Sequence, residues 1–351
     1  MPQTYAHYSI QQITVHQRSH RCPNDRIKIN LINLALVVDY PQMIRHFTSA
    51  LATVLAVASF SSVSSGVQLK YLGTAGWELS DGTTVVLIDP YLSRLKRVTP
   101  NDDVLPSDSR KLFTPDDVVE SDTATIDAHI THADFIVITH THFDHAFDLP
   151  YIANKTGATV IGTESTCAVA RAYGIGNDKL IAVKGGEDFQ LGAVSIRVIP
   201  SLHGVLRRAP NAPFLSPSAA VPSDVKAPLH LRDFNEGGTL AYLIRIGGRK
   251  ILAFGSMNYI EREVEGLRPD VALIGAMPER REIFEYTPRL LRALGYPPTV
   301  LPTHWDRFNV PYDVSQSPAL ERLKSFTDEV KTASPKTRVI VPKYFEPITI
   351  P

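Results

Sequence analysis

The sequence predicts an α/β protein in which two mixed β-sheets pack together with helices outside. Strand-like and helix-like segments alternate in two successive blocks, each opened by hairpin signals. A short apolar run at residues 133–139, ADFIVIT, reads as a strand buried on both faces, which needs cover on each side. Residue types that hold metal ions fall directly after such strands, where α/β folds commonly place their sites.

The first block opens at residues 67–80, VQLKYLGTAGWELS, read as one strand. Asp81-Gly82 is a two-residue hairpin signal. Residues 83–89 form a second strand, rich in β-branched side chains and stopped by Pro90. Residues 91–130 are polar and Pro-containing, a loop with short helical pieces. After the buried strand come a helix at 149–156, a strand at 158–162 and a helix at 166–173 stopped by Gly174. A strand at 180–183 follows. Residues 189–200 alternate apolar and polar and read as one half-buried strand.

Residues 204–237 break the rhythm. Pro210, Pro213, Pro217, Pro222 and Pro228 mark them as a long irregular insertion, and loops of that length are usually functional or disordered. Regularity returns with a hairpin over 239–246 and 249–255, turning at Gly247-Gly248. A strand at 270–276, a helix at 283–294, a strand at 299–302 and a terminal helix and strand complete the domain.

Composition bounds the function. Lys plus Arg and Asp plus Glu are equal at 36, and no basic block stands out. A nucleic-acid partner held by counterion release is therefore not expected. Cys22 and Cys167 lack the CxxC spacing of a thiolate metal site, and Cys167 reads as a small buried side chain. The segment from Met43 has a short basic start, an uncharged apolar run at 47–60, and Val63 and Ser65 placed before a cleavage point ahead of Gly66. This is the pattern of a signal peptide. The run is too short for a stable membrane span. We expect translation to start at Met43, residues 1–42 to be a non-native extension, residues 43–65 to direct export to the periplasm or outside, and residues 66–351 to form the domain. The competing reading is a buried or membrane-facing helix in a longer, cytoplasmic protein.

The chemistry concentrates in Thr139-His140-Thr141-His142-Phe143-Asp144-His145. Zn²⁺ prefers imidazole nitrogen and carboxylate oxygen. On an extended turn His140 and His142 point the same way, because side chains alternate with period two. Asp144 and His145 lie further round and can address a second metal.

This THTHFDH string resembles the HxHxDH signature of the metallo-β-lactamase superfamily, whose fold is an αββα sandwich of hydrolases. The resemblance implies that His203, in Pro200-Ser201-Leu202-His203-Gly204, completes the first metal's set with His140 and His142. It implies that His304, in Pro302-Thr303-His304-Trp305, joins Asp144 and His145 at the second. Tyr71-Leu72-Gly73-Thr74-Ala75-Gly76-Trp77 and Leu87-Ile88-Asp89-Pro90 are similar to the branch containing ascorbate-6-phosphate lactonase and the phospholipase D that acts on N-acyl phosphatidylethanolamines. Metal-bound histidines normally donate their other N–H to a carboxylate or carbonyl, and Asp89 and Asp306 are candidates for that part.

One position departs from the superfamily pattern. Ser256 stands where the family carries a metal-bridging Asp, and a hydroxyl is a weaker ligand than a carboxylate. Asn258 could lend an amide oxygen. The site then holds one metal or two, and with two it keeps extra positive charge that an anionic substrate group could balance. The resemblance implies a zinc-bound hydroxide that attacks a small-molecule substrate, with Asp144 orienting the water and Zn²⁺ or another divalent cation as cofactor. Lactone or ester cleavage is the first expectation, phosphodiester or phospholipid cleavage the alternative, and a non-catalytic metal-binding relative the rival from another class. Arg207, Arg208 and Arg232 could steer an anion. Leu202, Phe214, Leu215 and Phe234 could wall an acyl group.

Overall fold

The computed structural model describes residues 66–98, 104–205 and 219–351. The signal segment from Met43, the extension at 1–42, Cys22, Arg207, Arg208, Phe214 and Leu215 lie outside the described residues.

The first sheet is built from β1 (Val67–Gly73), β2 (Gly76–Ser80), β3 (Val85–Ile88), β4 (Phe135–Val137), β5 (Thr159–Gly162), β6 (Leu180–Ala182) and β14 (Pro347–Ile350). Its order is β14-β1-β2-β3-β4-β5-β6. The second contains β7 (Asp188–Leu191), β8 (Val194–Pro200), β9 (Leu240–Ile246), β10 (Arg249–Phe254), β11 (Val271–Gly275), β12 (Thr299–Thr303) and β13 (Arg338–Val339), in the order β13-β12-β11-β10-β9-β8-β7. Each sheet is antiparallel on the hairpin side and parallel on the other. These are the two mixed sheets expected from the alternation of elements.

Two runs expected as single strands are hairpins. Residues 67–80 turn at Thr74-Ala75, with Tyr71 facing Trp77. Residues 189–200 turn near Gly192, with Leu191 facing Val194. In the first, apolar alternation continues through the turn; in the second it only shifts by one residue, from odd to even positions between Ala193 and Val194. What breaks the chain is positive φ, at Gly73 and Thr74 in one and Gly192 in the other.

Burial follows the period of two. Val86, Ile88, Val137 and Ile161 join one core with Ile196, Val198, Ile244 and Leu252 of the other sheet. Their neighbours Leu87, Ile136, Ile138 and Val160 join a second core. That second core is covered by α1 (Thr123–His129), α3 (Leu149–Thr156) and α4 (Glu164–Ala172) through Ile126, Ile152 and Val169. On the second sheet, α6 (Tyr286–Ala293) and α7 (Ser317–Ala333) bring Leu290, Leu291, Leu323 and Phe326 onto the main core. Burying one such side chain contributes about 1.5–3 kcal/mol, so a central strand covered twice is firmly fixed. Short α2 (Phe143–Ala146) and α5 (Glu261–Val264) complete the helices of the described residues. Among those residues no helix is long and apolar enough to cross a membrane.

Candidate metal centre

The six predicted side chains meet at one edge of the two sheets, each just beyond a strand. After β4 the chain stays extended through His142, whose φ of −59° and ψ of 152° lead into α2. Thr141 lies between the two histidines, and its N–H donates to Glu236 O at 2.8 Å, which fixes the extended segment. The first turn of α2 then presents Asp144 and His145. His203 follows β8, and His304 follows β12 with a φ of 52°.

Two triads result. The ligand-type atoms of His140, His142 and His203 lie within 4.8 Å of one another, as do those of Asp144, His145 and His304. Ring centroids of His140, His142 and His203 are 4.8–4.9 Å apart. His140 and His145 bridge the triads at 3.9 Å. His304 Nε2 is 3.1 Å from Asp144 Oδ2, and His145 Nε2 is 3.7 Å from the same oxygen.

The electrostatics suit a cation. His140 Nε2 and His304 Nδ1 are buried with no hydrogen-bond partner, and an orphaned buried nitrogen costs about 1–3 kcal/mol. Burial, and then the positive potential of the other rings, holds His140 well below the usual imidazole pKa. The same causes, with His203 foremost among the rings, take His142 down to about 3. His203 is also lowered, chiefly by burial. These three rings are therefore neutral, the ligating form. Burial works against the Asp144 carboxylate, but His145 and His304 outweigh it and hold the group below the usual carboxylate range. His145 is likewise opposed by burial and raised by Asp144 and Asp89. Five imidazoles, two of them carrying orphaned nitrogens, and one carboxylate fit a pair of divalent cations.

The surrounding residues divide sharply. Asp89, expected beside a metal-bound imidazole, lies with Oδ2 2.8 Å from His145 Nδ1. It also accepts from Thr139 N at 2.7 Å and Thr139 Oγ1 at 2.6 Å, so one buried carboxylate ties β3 to the HTHFDH turn. His203 Nδ1 has a carbonyl, Gly204 O, at 2.9 Å. Asp306, expected in the same part as Asp89, makes no hydrogen bond to a ligand ring among the described residues. It accepts from Thr74 N at 2.9 Å, Tyr71 Oη at 3.0 Å, Tyr344 Oη at 2.7 Å and Arg94 Nη1 at 2.8 Å. Thr74 O in turn accepts His304 N–H at 2.5 Å. Asp306 thus acts on His304 through the backbone.

Asn258 does not offer an oxygen to the site. Its Oδ1 accepts from Tyr259 N at 2.9 Å and its Nδ2 donates to His203 O at 3.1 Å. The Nδ2 bond ties the β10 exit to the His203 loop, and the Oδ1 bond is spent on the neighbouring backbone. Ser256 is buried at the cavity wall, and its Oγ accepts Gly204 N–H at 2.8 Å.

The centre floors a cavity of about 240 Å³. Phe143, Leu231, Phe234, Met257, Met277 and Phe308 line it, with Arg97 and Arg232. Phe234 is in the wall as expected, while Leu202 is exposed. Leu231 and Phe234 belong to the expected insertion, whose described part carries a single 3-10 turn at Leu231–Asp233. Away from the cavity, His129 stacks on Phe345, His132 pairs with Asp134, His230 caps the 3-10 turn, and Cys167 is buried.

Sequence reasoning passed over Arg94, Arg97, Met257, Met277 and Phe308. Arg94 and Arg97 had a usable signal, since Ser93-Arg94-Leu95-Lys96-Arg97 follows a strand end, as the ligands do. The methionines and Phe308 had none, being indistinguishable from ordinary core.

A family model described as a β-lactamase superfamily domain matches residues 84–305. This span contains Asp89 and all six clustered side chains. The chain belongs to the metallo-β-lactamase superfamily. Among curated relatives, a UPF0173 metal-dependent hydrolase of Heliobacterium modesticaldum is 25% identical over 258 residues, 70% of this chain and 84% of its own length. Another from Symbiobacterium thermophilum is 24% identical over 250 residues, 70% of this chain and 86% of its own. The solved metallo hydrolase Igni18 of Ignicoccus hospitalis superposes with a TM-score of 0.50 at 17% identity, over 81% of this chain and 98% of that one. This last likeness is one of fold, and the paired seven-stranded sheets with outer helices are the superfamily's αββα sandwich.

Proposed function

We propose that this superfamily member is a hydrolase that uses Zn²⁺ at one or both triads to cleave an ester or lactone. The convergence of His140, His142, His203, Asp144, His145 and His304 at the floor of an apolar cavity carries this reading. The names of the curated relatives support metal-dependent hydrolysis, and the resemblance to a lactonase branch supports the bond type.

When bound, Zn²⁺ lowers the pKa of water to about 7 and polarises a carbonyl oxygen. The chain's own residues then divide the work. Neutral His140, His142 and His203 hold one cation without cancelling its charge. Asp144, with His145 and His304, would hold the other, and its carboxylate would orient the attacking water by accepting a hydrogen bond from it. Asp89 keeps the His145 ring turned by receiving its Nδ1–H. Phe234, Leu231 and the methionines exclude bulk water and pack the acyl part. With Ser256 neutral, the two triads supply one carboxylate between them, so two cations keep a net positive charge that favours a substrate with an anionic group.

A panel of an acyl lactone, a p-nitrophenyl ester, bis-p-nitrophenyl phosphate and nitrocefin, assayed on metal-loaded protein, tests this. The lactone or ester should turn over fastest. Faster phosphodiester cleavage would replace the bond assignment. Stoichiometric metal without turnover of any member would mean a non-catalytic relative.

A further inference from the structure

Arg97 stands on the loop between β3 and α1. That loop is anchored just before the residue and at its own carbonyl. Three positions earlier, Arg94 is buried with Nη1 2.8 Å from Asp306 Oδ2 and Nε 2.6 Å from Val310 O. The carbonyl of Arg97 itself accepts from Asn309 Nδ2 at 2.8 Å. The side chain is thus delivered to the cavity from an anchored backbone.

There the guanidinium lies over the ring of Phe143, 4.5 Å from its centroid. Phe143 sits between His142 and Asp144 in sequence, so the cation is held beside the metal-binding turn. Among the described residues Arg97 has no ion pair and no side-chain hydrogen bond. Burial lowers its pKa, with Asp144 and Tyr91 acting in the opposite sense. A half-buried guanidinium that lies on an aromatic face, with no hydrogen-bond acceptor among the described residues, has shed water without gaining partners there for its five N–H donors. Arg232, the other arginine of the cavity wall, differs: it pairs with Asp116 near the surface.

We infer that Arg97 receives an anionic group of the substrate, so that the cavity takes molecules with an apolar body and an acidic end. A planar guanidinium matches a carboxylate, sulfonate or phosphate through paired N–H donors. Phe143, Phe234, Met257 and Met277 supply the apolar surface. This substrate class rests on the cavity being the substrate site of the proposed hydrolase, but it makes no use of which bond is cleaved.

Binding can be separated from turnover. Calorimetric titration of metal-loaded protein with 1-octanesulfonate and with 1-octanol compares one chain length with and without an anion, and a sulfonate is a poor metal ligand. Wild type should bind the sulfonate at least about tenfold more tightly than the alcohol, a difference of about 1.4 kcal/mol. Arg97→Met should remove that preference and leave octanol within about twofold. Arg97→Lys should restore part of it, and Arg232→Met should keep most of it. Equal affinity of wild type for both probes, no binding of either, or a preference that survives Arg97→Met or is lost only in Arg232→Met would overturn the assignment. Hydrolysis of p-nitrophenyl hexanoate and mono-p-nitrophenyl adipate reads the other claim. Failure to cleave either ester with the sulfonate preference intact would sink the esterase reading and leave Arg97 in its part.

Discussion

At Asp89 one buried carboxylate faces three donors, and the most consequential is His145 Nδ1. Asp89→Asn keeps the shape and removes the charge. A change of this kind beside a metal ligand typically costs about 10–100-fold in metal affinity or activity, and competition against a chelating dye should show a loss of that order. The three depressed histidines make a separate prediction for metal-stripped protein. In the unfolded chain each takes up a proton near pH 6.5. In the folded chain His142 resists until about 3, and His140 and His203 are lowered too. Below pH 6.5 the unfolded state therefore binds more protons, so stability falls as pH drops, by up to about 1.4 kcal/mol per pH unit for each group. His145, raised by its carboxylates, acts in the opposite sense only above pH 6.5. Urea midpoints between pH 7 and 5 should decline, and His142→Ala should flatten that decline. At Ser256, replacement by Asp should raise metal content towards two per chain; unchanged stoichiometry would mean that this position does not address the metals. Most of this residue-level account was readable in advance, because HTHFDH packs four metal-ligating residues into six positions. The parts of Asn258 and Asp306 were not, since a short polar side chain's partner depends on which loop packs against it.

At the scale of elements, the site depends on how strand ends are tied together. Thr74, Asp89, Arg94 and His304 all adopt positive φ without being glycine, at a cost of about 1–3 kcal/mol each. The Arg94–Asp306 ion pair and the hydrogen bonds to Thr74 and Val310 hold three of these residues in place. Arg94→Met should therefore loosen the His304 loop and weaken metal binding at the Asp144, His145 and His304 triad more than at the other. Cobalt substitution, with its ligand-field spectrum, would distinguish the two. Gly255, at the end of β10, answers a different need. A Cβ there would overlap Thr139 Oγ1 and come within 2.7 Å of Asp89 Oδ2. Gly255→Ala should destabilise the fold by on the order of 2 kcal/mol through overpacking, and thermal denaturation would measure it. The central strands were legible because apolar runs such as 133–139 need cover on both faces. The turns inside 67–80 and 189–200 were less so, because the first interrupts no hydrophobic period and the second only shifts it by one residue at Ala193-Val194.

Across the whole molecule, two sheets of similar design face each other, each with parallel strands on one side and a hairpin meander on the other. Such a pair creates one rim where strand ends from both sheets meet, and the six clustered side chains arrive there from β4, β8 and β12. Sequence alone indicated the sheets and the rim. The identity of the cavity wall emerged only in three dimensions, because Met257, Met277 and Phe308 carry no local mark. Export remains our proposal for the segment from Met43, and N-terminal sequencing of secreted material should find Gly66 first; a mature chain retaining Met1 would refute it. The claim on which the functional account rests is that the two triads bind divalent cations. Elemental analysis of protein purified without added metal tests it most directly. The account predicts one or two equivalents of zinc or another divalent transition metal per chain, and a clear fall in His142→Ala that remains folded. Folded wild-type protein that stays metal-free after exposure to zinc would contradict it.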